Sequence, residues 1–332
     1  MTTTPPRFKA AAVQAAPAFL DLDAGVDKAE RLIAEAASQG ASLIAFPETW
    51  LPGYPFWIWL GAPAWGMRFV QRYFDQSLTV EGPHMVRLRE VARRHGIHVV
   101  MGYSERSGSS LYMGQALIGP EGGLIAARRK LKPTHAERTV FGEGDGGDLK
   151  VHATALGRLG ALNCWEHVQP LVKQAMFTQG EQLHVGSWPS FSLYRDMAYA
   201  LGPEVNLAAS RMYAVEGSCF VIGSCATVSE EMTALLCDSP DRAKMLLPGG
   251  GFSMIYGPDG RPLAQPLDER AEGLVYADID LGLIPLAKAV ADPVGHYSRP
   301  DVLRLMFNDT PRRIMERFDG RFDAEPNQAG KP

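Results

Sequence analysis

Hydrophobic and polar positions change period several times along the chain. Phe8 to Ala16 (FKAAAVQAA) is small and apolar enough for a buried strand. The next apolar positions, Val26, Ala29, Ile33, Ala36 and Ala37, recur at helical spacing, and Gly40 is placed as a stop. Ser42 to Phe46 then reads as a second buried strand, closed by Pro47 with Glu48 at its end. A helix is predicted from Pro83 to His95, with Met85, Leu88, Val91 and Ala92 inward and Gly96 after it. Strands are predicted at Ile97 to Tyr103, Leu111 to Ile118, Leu124 to Arg129, Val151 to Ala155, Leu159 to Asn163, Gln182 to Gly186 and Cys219 to Cys225. Helical segments near Leu171 to Thr178 and Glu204 to Gly217 are interleaved with the last of these. Such a mixture implies layered α/β architecture, not a simple parallel doubly wound sheet. No linker or internal repeat divides the chain, so residues 1–310 read as one domain. From Pro311 to residue 332 periodicity is lost, and that polar stretch reads as a tail.

Composition narrows the classes without choosing among them. The 332 residues are 46% hydrophobic and 21% charged, ordinary for a globular protein. A net charge of -4 gives no basic footprint, and the RRK run at Arg128 to Lys130 is too short to supply one, so no nucleic-acid partner is expected. No stretch approaches ~18 unbroken apolar residues, and the N-terminal segment lacks a leucine-rich signal core. These features predict a cytoplasmic protein with no membrane partner. The four cysteines, 164, 219, 225 and 237, form no CxxC pair, which argues against a zinc ribbon or a disulfide framework. Gly142, Gly144 and Gly147 satisfy GxGxxG in form, but no strand precedes them, no helix follows, and Glu143 and Asp145 would repel a pyrophosphate. A glycine-rich loop is the plainer reading.

Three segments carry candidate chemistry. Cys164, in NCWEH, follows the apolar run LGALN, where a buried strand gives way to a turn. Alone, such a cysteine is as readily a packing residue, and a working thiol needs a base or positive field nearby. Glu48, in IAFPETW, follows another buried strand and is a candidate base, although a carboxylate there is also commonly solvated or capping a helix. Lys130, in AARRKLKPTH, follows a third strand and is a candidate oxyanion donor or a plain surface charge. Lys132 lies two residues on, hence on the same face of a strand, so either lysine could point inward. His135 and His167 invite a Cys-His dyad reading; Glu166 with His167 suggests a metal site, but no third partner stands at ligand spacing.

FPETWLPGYP, RRKLKPTHAERTVFGEGDG and LNCWEHVQPL, in that order, resemble the three signature segments of the nitrilase family within the carbon-nitrogen hydrolase superfamily. The resemblance extends over nearly the whole chain, to GHYSRPDVL near Pro300. It implies a four-layer α-β-β-α sandwich. It further implies Glu48 as general base, Lys130 as catalytic lysine, Cys164 as nucleophile and Glu137 as the carboxylate that buttresses the lysine. No metal or cofactor is implied. The expected substrate is a small organic nitrile, with bacterial arylacetonitrilases and aliphatic nitrilases the nearest in pattern. Tyr54, Trp165 and Trp188 are candidate pocket residues, with packing as the alternative for each ring. A homodimer or larger spiral homo-oligomer is the expected assembly. The competing readings are an amidase or carbamoylase of the same superfamily, and a non-catalytic oligomeric scaffold.

Overall fold

Side chains of a strand point alternately to its two faces, and the first strand, β1 (Arg7–Gln14), uses both. Ala11 and Val13 pack outward against helices, while Ala10 and Ala12 pack inward against a second sheet. A computed structural model describes residues 5–312 and 315. Its larger sheet adds β2 (Ala41–Ala45), β3 (His98–Ser107), β4 (Ser110–Ile118), β5 (Leu124–Arg129), the two-residue β6 (Phe141–Gly142) on β4, and a closing strand, β12 (Gly273–Asp280). The order is β12-β1-β2-β3-β4-β5. The second sheet runs β11-β10-β9-β8-β7, from β7 (His152–Thr154), β8 (Gly157–Asn163), β9 (Leu183–Trp188), β10 (Phe220–Cys225) and β11 (Met254–Tyr256).

Ala10, Ala12, Leu43, Ala45 and Val100 of the first sheet meet Leu159, Ala161, Leu183, Val185 and Ile222 of the second in one apolar layer. On the first sheet's outer face lie α1 (Leu22–Ser38) and α4 (Pro83–His95). On the second sheet's outer face lie α5 (Pro170–Thr178) and α6 (Pro203–Gly217). This is the four-layer α-β-β-α sandwich, and the sequence pattern placed most of its elements within one or two residues. Ser229 and Asp21 cap helices as their side chains suit, and Gly96, at φ +61°, ends α4 in the left-handed conformation that glycine adopts freely.

Several elements escaped the sequence reading. The aromatic stretch after Glu48 forms α2 (Trp57–Leu60) and α3 (Pro63–Asp75), whose Gly66, Phe69 and Tyr73 face Trp57 and Leu60. Strands β11 and β12 were not expected either. The glycine-rich loop is followed by no long helix, only a single turn at Gly146–Asp148. A Cβ on Gly146 would lie 1.8 Å from the Asn308 carbonyl, so the glycines seat a returning segment, and the Arg312 N–H donates to Asp145 (2.7 Å). Apart from residues 311, 312 and 315, the expected tail lies outside the described residues. Among the described residues no helix is long and apolar enough to cross a membrane.

Candidate active site

The strands that run in the same sense in the two sheets bring their C-terminal ends to one edge, where loops leave room for a ligand. Hydrogen bonds tie the sheets together there. Ser187 Oγ donates to the Phe46 carbonyl (2.9 Å), Ser224 Oγ to that of Ala45 (2.8 Å), and Gln115 Nε2 to Ser187 Oγ (2.8 Å). Past this seam, Pro47 and Glu48 cross over Gly102. A Cβ on Gly102 would sit 1.8 Å from the Pro47 carbonyl oxygen, so only glycine admits the crossing.

Glu48, Lys130 and Glu137 meet at this edge with almost no exposure. Lys130 Nζ donates to Glu48 Oε1 (2.9 Å) and to Glu137 Oε2 (2.7 Å). Glu137 Oε1 accepts from the Tyr54 hydroxyl (2.8 Å), which itself accepts from Trp59 Nε1 (3.0 Å). One ammonium thus serves two carboxylates, and Glu48 Oε2 is buried with no partner. Burial pushes the Glu48 carboxyl above the ordinary carboxylate range; Lys130 opposes this and Glu137 adds to it. For Lys130 burial disfavours the charge, but Glu137 and Glu48 outweigh it and hold the ammonium protonated.

Cys164 directly follows β8 at φ +44°, a left-handed conformation uncommon for a non-glycine residue. This sharp turn projects its thiol from the strand end. Burial pushes the thiol's pKa up and so does the charge of Glu48, whereas Lys130 and the Trp165 backbone N–H draw it down. The resting side chain is therefore a thiol, held in that form by burial and by the charge of Glu48. Cys164 lines a cavity with Tyr54, Phe56, Trp59, Glu137, Trp165 and Phe191, closed further by Leu193, Leu201 and Asn206. Trp165 Nε1 donates to Asn206 Oδ1 (3.0 Å), fixing one wall.

Trp188 stands apart from that cavity: it is buried and stacks on His167 (4.8 Å between centroids). Lys132 is exposed and pairs with Glu143. His135 stacks on Trp59 (5.3 Å), and His167 turns its ring nitrogens to the Cys164 carbonyl and to His184. No cluster of His, Cys, Asp or Glu among the described residues could hold a metal.

Two supporting residues were not identified from sequence. Glu166 Oε1 accepts from the Leu131 N–H (2.8 Å) and Oε2 from the Asn163 N–H (2.8 Å), so it clasps the residues beside Lys130 and Cys164. Arg128 completes the clasp, donating to Glu166 (2.8 Å) and to Gln115 Oε1 (2.6 Å). The available signal was Arg128's place within the predicted strand Leu124–Arg129, where a guanidinium turned inward demands a carboxylate.

A family model described as carbon-nitrogen hydrolase matches residues 9–289. The nitrilase of Pseudomonas syringae is 59% identical over 304 residues, covering 92% of this chain and 90% of that one. An arylacetone-specific nitrilase of Alcaligenes faecalis is 52% identical, covering 94% and 88%. Among solved structures, the Caenorhabditis elegans NitFhit protein superposes with a TM-score of 0.71 at 20% identity, covering 94% of this chain and 70% of that one, which supports the fold. A carbon-nitrogen hydrolase of Helicobacter pylori does so with a TM-score of 0.70 at 17% identity, over 89% and 97%. The chain belongs to the carbon-nitrogen hydrolase family, and within it to the nitrilases.

Proposed function

We propose that the enzyme hydrolyses an aryl or arylalkyl nitrile to the carboxylic acid and ammonia through covalent intermediates on Cys164. The observation that carries this reading is the buried carboxylate Glu48, with one oxygen on Lys130 and the other unpartnered, whose charge acts on the thiol of Cys164, a residue in the left-handed conformation. Glu48 takes the thiol proton, sulfur adds to the nitrile carbon, and the proton passes to nitrogen to give a thioimidate. Water, deprotonated by Glu48, adds to that carbon. Nitrogen leaves as ammonia from the tetrahedral species, and a second water releases the acid from the thioester. Lys130 and the Trp165 N–H stabilise the tetrahedral species; a single such donor is typically worth ~2.7 to 4 kcal/mol. Glu137 holds Lys130 in place. Expulsion of sulfur instead of nitrogen releases some amide, a choice governed by ~1.4 kcal/mol per tenfold in product ratio.

The aromatic lining, with Tyr54 and Trp165 as substrate contacts, suits an aryl group; Trp188 packs against the lining ring of Phe191 (5.6 Å between centroids) from behind. Assembly into a homodimer or larger homo-oligomer accords with exposed Leu171, Met212 and Val215 on the outer helices, and light scattering reads it directly. A cytoplasmic setting accords with four unpaired cysteines. The test is ammonia release from paired nitriles and amides, with intact-mass detection of the adduct. Wild type should turn over nitriles and carry the adduct, and Cys164→Ala should do neither. Turnover of amides alone would select an amidase, and full activity in Cys164→Ala would end the mechanism.

A further inference from the structure

Behind Cys164, on the face of β9 turned toward α6, lies a second buried chain of titratable groups that the mechanism above leaves unused. His167 Nδ1 meets the Cys164 carbonyl (2.6 Å), His167 Nε2 meets His184 Nε2 (2.9 Å), and His184 Nδ1 meets Glu181 Oε1 (2.8 Å). The Tyr213 hydroxyl donates to Glu181 Oε2 (2.6 Å). All four side chains are at most 3% exposed. The strands are cut to fit them. A Cβ on Gly160 would lie 2.0 Å from Glu181 Oε1, and one on Gly186 3.1 Å from His167 Nε2.

Counting protons defines the state of this chain. Between the Cys164 carbonyl and Glu181 there are three hydrogen bonds, each needing one proton. Two neutral imidazoles supply one apiece, and a carboxylate supplies none. The third proton must reside in the chain, and its natural seat is the group with the weakest claim to charge. Burial pushes Glu181 up to about 8, with Tyr213 opposing, and burial with His184 pulls His167 down to about 3. Burial and Arg128 also pull His184 down, against Glu166. The remaining charged or titratable neighbours are Lys173 near His167 and Cys219 near Tyr213.

We propose that Glu181 is a protonated, uncharged acid that donates to His184, and that this proton-filled chain orients His167 to hold the strained Cys164 carbonyl and so aim the thiol. Glu181, His184 and His167 are positioning residues: the order of donation is Glu181 to His184 to His167 to the Cys164 carbonyl. A chain without separated charges suits this place, because a buried imidazolium–carboxylate pair would set a strong dipole against the Glu48–Lys130–Cys164 balance on the other side of the strand end. The inference rests on Cys164 being the nucleophile for its effect on rate, but not for its proton arrangement.

The experiment compares Glu181→Gln with Glu181→Ala in the full-length enzyme, alongside nitrogen-15 spectra of the histidine rings. A carboxamide donates to His184 and accepts from Tyr213 as the acid does, so Glu181→Gln should keep kcat within about threefold. Glu181→Ala should lower kcat by about 10- to 100-fold with KM little changed, the scale of a misaimed reacting group. The spectra should show His167 with its proton on Nδ1 and His184 with its proton on Nε2, neither titrating from pH 5.5 to 7. Equal losses in the two variants, or an imidazolium signal from either ring, would overturn the neutral acid. A folded Glu181→Ala with wild-type kcat would overturn the positioning role. If Glu181→Ala does not fold, the Gln variant and the spectra still decide. Failure of the nucleophile assignment shows separately, as retained turnover in Cys164→Ala with the ring tautomers unchanged.

Discussion

Two buried charge clusters stand a few residues apart along the chain and behave oppositely. In the Arg128–Glu166 cluster both carboxylate oxygens are bonded and the guanidinium reaches Gln115 and two backbone carbonyls as well. Burial alone would raise the Glu166 pKa, yet Arg128 and the two N–H groups prevail and hold it below its ordinary value. In the Lys130 cluster two carboxylates divide one ammonium, an oxygen of Glu48 is left over, and burial prevails, so its pKa rises. A saturated pair fixes geometry; an unsaturated one leaves an acceptor open, which is what the role proposed for Glu48, taking a proton from thiol or water, requires.

The sharpest way to break this comparison is to remove the free acceptor. Glu48→Gln should lower kcat by about 10²- to 10⁴-fold, the usual worth of a general base, while thermal unfolding shows the fold intact. Arg128→Met should do the reverse in emphasis, costing about 3 to 5 kcal/mol of stability by stranding Glu166, measured by denaturant unfolding. An intermediate effect is expected in the pH profile. Since burial, aided by Glu137, raises Glu48, the rising limb of kcat/KM should lie above the carboxylate norm of about 4.3, and Glu137→Gln should move it downward.

Stability should depend on pH in a related way. Glu181 binds its proton more tightly folded than unfolded, so its contribution is full below about 4.3 and is lost as pH rises through about 8. Glu181→Gln should flatten that slope in unfolding free energy measured from pH 4 to 9. Smallest of all, Lys132→Ala removes an exposed pair with Glu143 and should change stability by under about 1 kcal/mol and kcat not at all.

Much of the fold was legible because strand and helix periods are local properties. Helix α4 shows this best: the four inward residues expected, Met85, Leu88, Val91 and Ala92, are its buried ones. Helix α3 was missed although Gly66, Phe69 and Tyr73 have helical spacing, because its buried face is aromatic and glycine, without the usual aliphatic stripe. Trp188 shows the limit on the site side, since sequence marks an aromatic near the cavity but not which way its ring turns.

The sequence by itself determined the layered α/β class, the three motif segments and their order, and which residue types stood at strand ends. Only the tertiary structure decided who meets whom. Lys130 reaches Glu48 across 82 residues of chain and Gln115 reaches Ser187 across 72, contacts set by how two sheets stack and not by any local period. The same stacking distinguishes Lys130 from Lys132, and it buries Glu181 and His184 beneath Cys164, where burial and enclosure, rather than residue type, assign the protons.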